Sequence, residues 1–213
     1  ISPEKLLALH QRKKLPDNLI YKVVFKEEDL VERIDGTPFD LQDYYTHPEN
    51  YRGKFEQYLP YISVLINCVY WDPKYPRLVT KQAIKKLFAN GRPKLTVIGD
   101  ISVDVEGSIE CTLKPATIEK PIYIYDPETE TISDGHDKDG MLVMAVDILP
   151  AELPRDASES FGEVLINFVK PIADADFDEL FEDLDLPRAI KKALILHNGE
   201  LTPEYTYLEK YLG

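Results

Sequence analysis

Cysteine is scarce in this chain: two among 213 residues, Cys68 and Cys111. Thiols set in or beside apolar stretches are expected to be reduced and buried, in a protein of a reducing compartment. A disulfide between them cannot be placed from sequence. Histidine is also rare. The four present, His10, His47, His136 and His197, stand apart from any Cys, His or carboxylate at metal-ligand spacing, so no metal site is expected. No apolar run approaches the ~20 residues of a membrane span. The start, Ile1-Ser2-Pro3-Glu4, is neither a signal nor a transit peptide, and its missing initiator Met is expected of a trimmed chain. Positive charge is in deficit: 25 Lys and Arg against 38 Asp and Glu leave a net charge of −13. That field repels nucleic acid and anionic membrane surfaces, and only a local basic pocket would overcome it for an anionic small molecule. Phosphate-cradling loops are missing as well. There is no GxGxxG and no GxxxxGK[ST], and Gly91, Gly99 and Gly107 are too dispersed to replace one.

What is present reads as helices alternating with buried strands. Residues 3–14 predict a helix with Ser2 as its cap and Pro3 in its first turn. Residues 19–25 are strand-like, 26–45 form a polar excursion with an Asp35-Gly36 turn, and 48–59 predict a helix ending before Pro60. The β-branched run at 63–69 predicts a strand covered on both faces, followed by an aromatic, proline-rich loop. Thr80 caps a predicted helix over 81–89 that stops at Asn90-Gly91. Further strands are expected at 94–101 and 141–149, with a hairpin element at 117–125 and solvated turns at 126–138. The remainder predicts helices at 158–169, 186–197 (stopped by Asn198-Gly199) and 204–212. An acidic amphipathic segment lies at 177–184. This alternation specifies an α/β fold with a mainly parallel sheet and flanking helices.

Two segments begin as an apolar run and end in a polar turn: Gly99-Asp100-Ile101-Ser102-Val103-Asp104-Val105-Glu106-Gly107-Ser108-Ile109-Glu110 and Val143-Met144-Ala145-Val146-Asp147-Ile148-Leu149-Pro150-Ala151-Glu152-Leu153-Pro154-Arg155-Asp156-Ala157-Ser158. A strand that delivers side chains to a cleft at its carboxyl end has that form. With Ile66-Asn67-Cys68-Val69-Tyr70-Trp71 and Pro76-Arg77-Leu78-Val79-Thr80 they make four segments in order. Through them, the chain from about residue 15 to residue 212 resembles the lysine–ketoglutarate reductase half of the lysine–ketoglutarate reductase/saccharopine dehydrogenase (alpha-aminoadipic semialdehyde synthase-like) family. It is more distantly similar to the alanine dehydrogenase/transhydrogenase superfamily.

The resemblance covers only the family's C-terminal portion. It implies the later part of a Rossmann-like sheet. Residues 1–150 would complete a dinucleotide-binding domain, and 151–213 would be a helical segment returning to the substrate domain. It implies NAD or NADP as cofactor, with Tyr70, Ile101, Val146, Asp147, Ile148 and Leu149 beside it, and Ser102, Val103 and Asp104 beside the substrate. The implied substrates are lysine and 2-oxoglutarate, joined and reduced to saccharopine. Tyr70 can also be read as a core-capping aromatic and Asp104 as a turn former. Glu110 can be read as an ammonium ligand or a solvated strand residue, and Arg155 as a carboxylate ligand or a structural ion pair.

The family's catalytic Lys and His, and its main substrate arginines, lie in an N-terminal domain with no counterpart here. No Lys or His of this chain inherits their role, and the chain alone is expected to be inactive. The missing N-terminal part of the same enzyme is then its main partner, beside a homo-oligomer. The expected compartment is the cytoplasm, or the mitochondrial matrix in an animal. Two rivals stand: a related dehydrogenase or deaminase acting on another amine, and a non-catalytic assembly or regulatory module.

Overall fold

The computed structural model describes residues 1–11, 18–89 and 91–212. The chain divides into two compact units, the first Ile1–Leu149 and the second starting at Pro150.

The first unit opens with helix α1 (Pro3–Gln11), where Ser2 Oγ accepts from the Lys5 amide at 3.3 Å. The rest of the helix predicted at 3–14 lies outside the described residues, as does Asn90 of the stop at 90–91. Residues 19–25 form no strand. Ile20 is fully exposed, and Phe25 packs its ring edge-on to Phe55 at 4.9 Å instead of joining a ladder. β propensity counts only where a neighbouring strand supplies pairing and packing.

The polar excursion is structured. Helix α2 (Glu27–Leu30) leads into strand β1 (Val31–Arg33), and helix α3 (Leu41–Thr46) follows. Strand β2 (Tyr51–Gly53) pairs antiparallel with β1, within the stretch predicted as a helix over 48–59. Pairing with β1 overrides helical periodicity there, and 3-10 turns at Pro48–Asn50 and Phe55–Tyr61 replace the helix. Val31, Tyr44 and Tyr51 form this module's own small core.

The main sheet begins with β3 (Val64–Asn67), after which α4 (Lys81–Phe88) leads to β4 (Val97–Asp100). Thr80 Oγ1 caps α4 by accepting from the Ala83 amide at 3.1 Å. Next come β5 (Ile122–Asp126), β6 (Thr131–Asp134) and β7 (Met141–Met144), in the order β3-β4-β7-β5-β6. The β3–β4 and β4–β7 pairings are parallel, and β5 pairs antiparallel with both β7 and β6. This is the expected α/β sheet: a parallel centre with a hairpin at one edge. Strand β6 arises within residues read as solvated turns. Its own side chains are polar apart from Ile132, so its place follows from pairing with β5.

Cross-strand partners share a face. Leu65, Ile98, Val143, Tyr123 and Tyr125 project to one side, where they bury completely against Leu6, Phe55, Leu59 and Ile84. Each such side chain contributes about 1.5–3 kcal/mol. On the opposite side Val64 and Ile66 remain 53% and 59% exposed. β3 is therefore covered on one face, not on both as its apolar run predicts. Gly99 lies on the exposed side between Ile66 and Met144, where a Cβ would sit 2.9 Å from Ile66 Cδ1.

The second unit holds the 21-residue helix α5 (Pro154–Asp174), longer at both ends than the predicted 158–169, with Pro154 at its first position. Phe161 and Val164 on it are 68% and 64% exposed. The acidic segment at 177–184 forms turns. The helix predicted at 186–197 is only α6 (Arg188–Ala193). Strands β8 (Leu196–His197) and β9 (Glu200–Leu201) then form a hairpin. Asn198-Gly199 closes it, with φ of +50° and +87°, as a two-residue turn with two left-handed positions requires. The terminal stretch, Pro203–Tyr211, is 3-10 rather than α. Among the described residues no helix is long and apolar enough to cross a membrane.

Candidate functional site

The carboxyl ends of the three parallel strands β3, β4 and β7 lie side by side, and every residue proposed from sequence as cofactor- or substrate-facing follows one of them. β3 and β4 each run inward as an apolar segment and end on a residue that cannot be buried without a partner, while β7 ends on Met144.

Asn67 ends β3 and Asp100 ends β4. They are direct partners in the parallel register, and both are 1% exposed. Asn67 Nδ2 donates to Asp100 Oδ1 at 2.8 Å and to Ser108 Oγ at 2.9 Å. Thr112 Oγ1 donates to Asp100 Oδ2 at 2.6 Å, and the Val103 amide donates to Asp100 Oδ1 at 3.3 Å. Among the described residues no cation pairs with Asp100, and its buried side-chain oxygens are satisfied by these hydrogen bonds. Sequence reading recorded Asn67 and Asp100 as parts of matching segments and missed this network. A polar residue closing an apolar strand was the available signal.

The segment 101–108 arches out from β4 and returns. Its first residues are tied to β3: the Ile101 amide donates to Asn67 O at 2.8 Å, and Ser102 Oγ donates to Val69 O at 2.7 Å. Ile101 and Ser102 are half-buried, Val103 is buried and Asp104 is exposed. Val103 and Glu106 hold φ of +54° and +48°. For a β-branched residue this is a true outlier, and strain of that kind persists only where its surroundings over-determine it. The turn closes with the Gly107 amide donating to Asp104 O at 2.9 Å. A Cβ on Gly107 would lie 2.4 Å from Asp104 Cβ, so only glycine fits.

After β3, Tyr70 is 83% exposed and Trp71 stacks beneath the Arg77 guanidinium at 5.3 Å from its ring centroid. A hollow of about 460 Å³ opens here, lined among others by Tyr44, Tyr45, Tyr70, Trp71, Tyr75 and Arg77. Cys68, also on its wall, is exposed, which corrects the expectation of two buried thiols. Cys111 is buried, and that burial pushes its thiol pKa up to about 12. Both cysteines are free.

After β7, Val146 is buried and bridges Ala116, whose amide donates to Ala145 O at 2.7 Å. Asp147 and Ile148 are exposed and Leu149 is half-buried. Glu110 accepts from the Lys81 amide at 2.8 Å and lies 3.6 Å from Arg77, so its carboxylate is engaged within the fold. Arg155, in the second unit, pairs with Glu159 one helical turn on, at 2.9 Å.

The site therefore offers two exposed carboxylates (Asp104 and Asp147), a hydroxyl (Ser102) and an aromatic hollow, all at parallel-strand carboxyl ends. In open α/β sheets that crevice is where ligands bind.

A family model described as alanine dehydrogenase/PNT, C-terminal domain, matches residues 40–204. Alpha-aminoadipic semialdehyde synthase of Arabidopsis thaliana is 39% identical over 193 residues, 90% of this chain and 18% of that protein. Mitochondrial alpha-aminoadipic semialdehyde synthase of Bos taurus is 34% identical over 202 residues, 88% of this chain and 22% of that protein. Alanine dehydrogenase 1 of Staphylococcus aureus (strain NCTC 8325 / PS 47) is 24% identical over 155 residues, 73% of this chain and 35% of that protein. The chain thus spans about a fifth of the length of the synthases it matches. Its matched residues include all three strand ends of the site, and the chain belongs to the alanine dehydrogenase/PNT C-terminal domain family.

Proposed function

We propose that this chain builds the later half of a dinucleotide cleft and part of the substrate floor of an oxidoreductase that makes saccharopine from lysine and 2-oxoglutarate. In that reaction the lysine ε-amine condenses with the keto carbonyl, releasing water. The imine carbon then takes a hydride and its nitrogen a proton. NADH or NADPH supplies the hydride when bound. The observation that carries this reading is the arch at 101–108, a strained segment at the end of the central parallel strand that presents Asp104 to solvent beside the half-buried Ser102. The Arabidopsis and bovine relatives, named as alpha-aminoadipic semialdehyde synthases, support a role in amino-acid metabolism.

The residues fit a dinucleotide in three respects. The hollow beside Tyr70 is lined by aromatic faces, which suit an adenosine. The exposed carboxylate of Asp147 suits a ribose hydroxyl. The stretch 146–149 offers backbone groups for a carboxamide, and Ile101 follows the neighbouring parallel strand β4. Asp104 holds the substrate ammonium or a ribose hydroxyl, with Ser102 and Val103 forming the adjacent wall. Residues 1–150 belong to the dinucleotide domain, and 151–213 return to the substrate domain. Acid–base groups and the phosphate loop come from the rest of the protein, and turnover needs both parts in place.

The test uses the intact gene product with lysine, 2-oxoglutarate and NADPH or NADH. Asp104→Ala is expected to lower kcat/KM by about 10- to 100-fold, the loss of one charge-assisted contact. Wild-type activity with an Asp104→Ala effect under twofold would overturn the assignment of Asp104. Activity confined to other amine and keto-acid pairs would shift the reading to a related amino-acid dehydrogenase, the direction in which the alanine dehydrogenase likeness points.

A further inference from the structure

We infer that the buried Asp100 network and the bare α-carbon of Gly107 form a clamp that sets the position of the Asp104 carboxylate, making Asn67, Thr112 and Gly107 positioning residues. The inference rests on the proposed role of Asp104 for its functional consequence, and on geometry alone for the clamp.

The network is buried and spans both strand ends and the chain beyond the arch. Asn67, Asp100, Ser108 and Thr112 are all at least 98% buried, and among the described residues no cation pairs with Asp100. Replacing such a buried polar group by an apolar isostere is often neutral or stabilising, so a purely structural site does not need a carboxylate here. The side chain does something an apolar residue cannot: it accepts from three donors, one at the end of β3, one in the arch and one in the chain that follows it. Asn67 brings in the end of β3, the Val103 amide the outgoing limb, and Thr112 the returning chain. Asn67 also reaches Ser108 at the foot of the returning limb.

The residue held most directly, Val103, is the one that pays a conformational cost, at φ +54°, and it immediately precedes Asp104. From the other side Gly107 closes against Asp104. Its amide donates to Asp104 O, and its α-carbon leaves no room for a Cβ, which would come within 2.4 Å of Asp104 Cβ and 2.9 Å of Asp104 O. Asp104 is thus fixed on both sides while its own carboxylate has no hydrogen-bond partner among the described residues and remains exposed. A side chain so held and left unengaged is pre-organised for an external group.

Two readouts separate the clamp from the function it serves. In the 213-residue chain, amide hydrogen exchange at Val103 is compared between wild type, Thr112→Val and Thr112→Ser. Thr112→Val, which keeps shape and removes the hydroxyl, is expected to speed exchange at Val103 at least tenfold. Thr112→Ser, which keeps the hydroxyl, is expected to restore protection. Unchanged exchange in Thr112→Val would overturn the clamp. In the intact gene product, Thr112→Val and Gly107→Ala are each expected to raise KM for the amine or the dinucleotide more than they lower kcat. Neither is expected to lower activity further in an Asp104→Asn background. Effects that multiply with Asp104→Asn would show action by another route and overturn the inference. Altered exchange with an Asp104→Asn variant as active as wild type would uphold the clamp geometry and reject the functional reading of Asp104. Should Thr112→Val fail to fold, Gly107→Ala carries the same comparison, with the Asp104 and Val105 amides as reporters.

Discussion

At the scale of single residues, two positions are constrained by space and charge that the chain itself creates. Gly140 precedes β7 with φ +148°, and a Cβ there would meet Ile124 Cγ2 and Tyr125 O, both at 2.5 Å. Neither backbone nor a buried strand can give way, so Gly140→Ala is expected to destabilise by on the order of 2–3 kcal/mol, read from urea unfolding midpoints. Glu106 accepts a hydrogen bond from Lys81 Nζ at 2.5 Å, and that bond and charge hold its carboxyl below the ordinary 4.5. Its stabilisation is therefore present above that ordinary value and fades as pH falls through the lower folded one. A Glu106→Gln variant should melt below wild type at about pH 6, and the gap should narrow as pH falls below 4.5, in thermal scans across that range. Asp104 and Asp147 were legible as carboxylates ending apolar runs. The conformation of Val103 was not, because nothing in a Ser-Val-Asp sequence announces a left-handed valine imposed by a carboxylate three residues back. Thr112 was equally hidden, since its partner is defined only once two loops have folded together.

At the scale of elements, local chemistry decided the outcome where it was strong. Thr80 was readable as a cap and is one: its hydroxyl accepts from Ala83 and donates to Glu56 Oε1 at 2.6 Å. Thr80→Ala is expected to cost about 1–2 kcal/mol, measured by denaturant unfolding. The apolar runs ending at Asn67, Asp100 and Met144 were readable as strands because their side chains must leave water whatever their neighbours do. Elements that depend on a partner were not readable. Tyr51–Gly53 is a strand only because Val31–Arg33 lies alongside it, and Thr131–Asp134 only because β5 does. The run at 19–25 has strand composition and no described partner, and stays irregular. Asn198-Gly199 was read as a helix stop, and the same left-handed preference instead turns a hairpin.

For the whole molecule, one face of the sheet stands out. Val64 and Ile66 are more than half exposed on the edge strand, while their neighbours on the other face are sealed. An exposed apolar edge is a template for association. The isolated 213-residue chain is expected to show concentration-dependent self-association by sedimentation velocity. The double variant Val64→Thr, Ile66→Thr should weaken it while changing stability by less than about 0.5 kcal/mol. Unchanged association would place the contact elsewhere. The sheet's order also has a temporal consequence. β5 and β6 meet across four residues, 127–130, and β5 then meets β7, whereas Asn67 and Asp100 must find each other over 33 positions. Closing the short loops first costs less chain entropy, so the hairpin edge should be the nucleus of refolding and the parallel edge at β3 the last part to assemble. Substitutions in β5 and β6 would then slow refolding, while those at the end of β3 would speed unfolding.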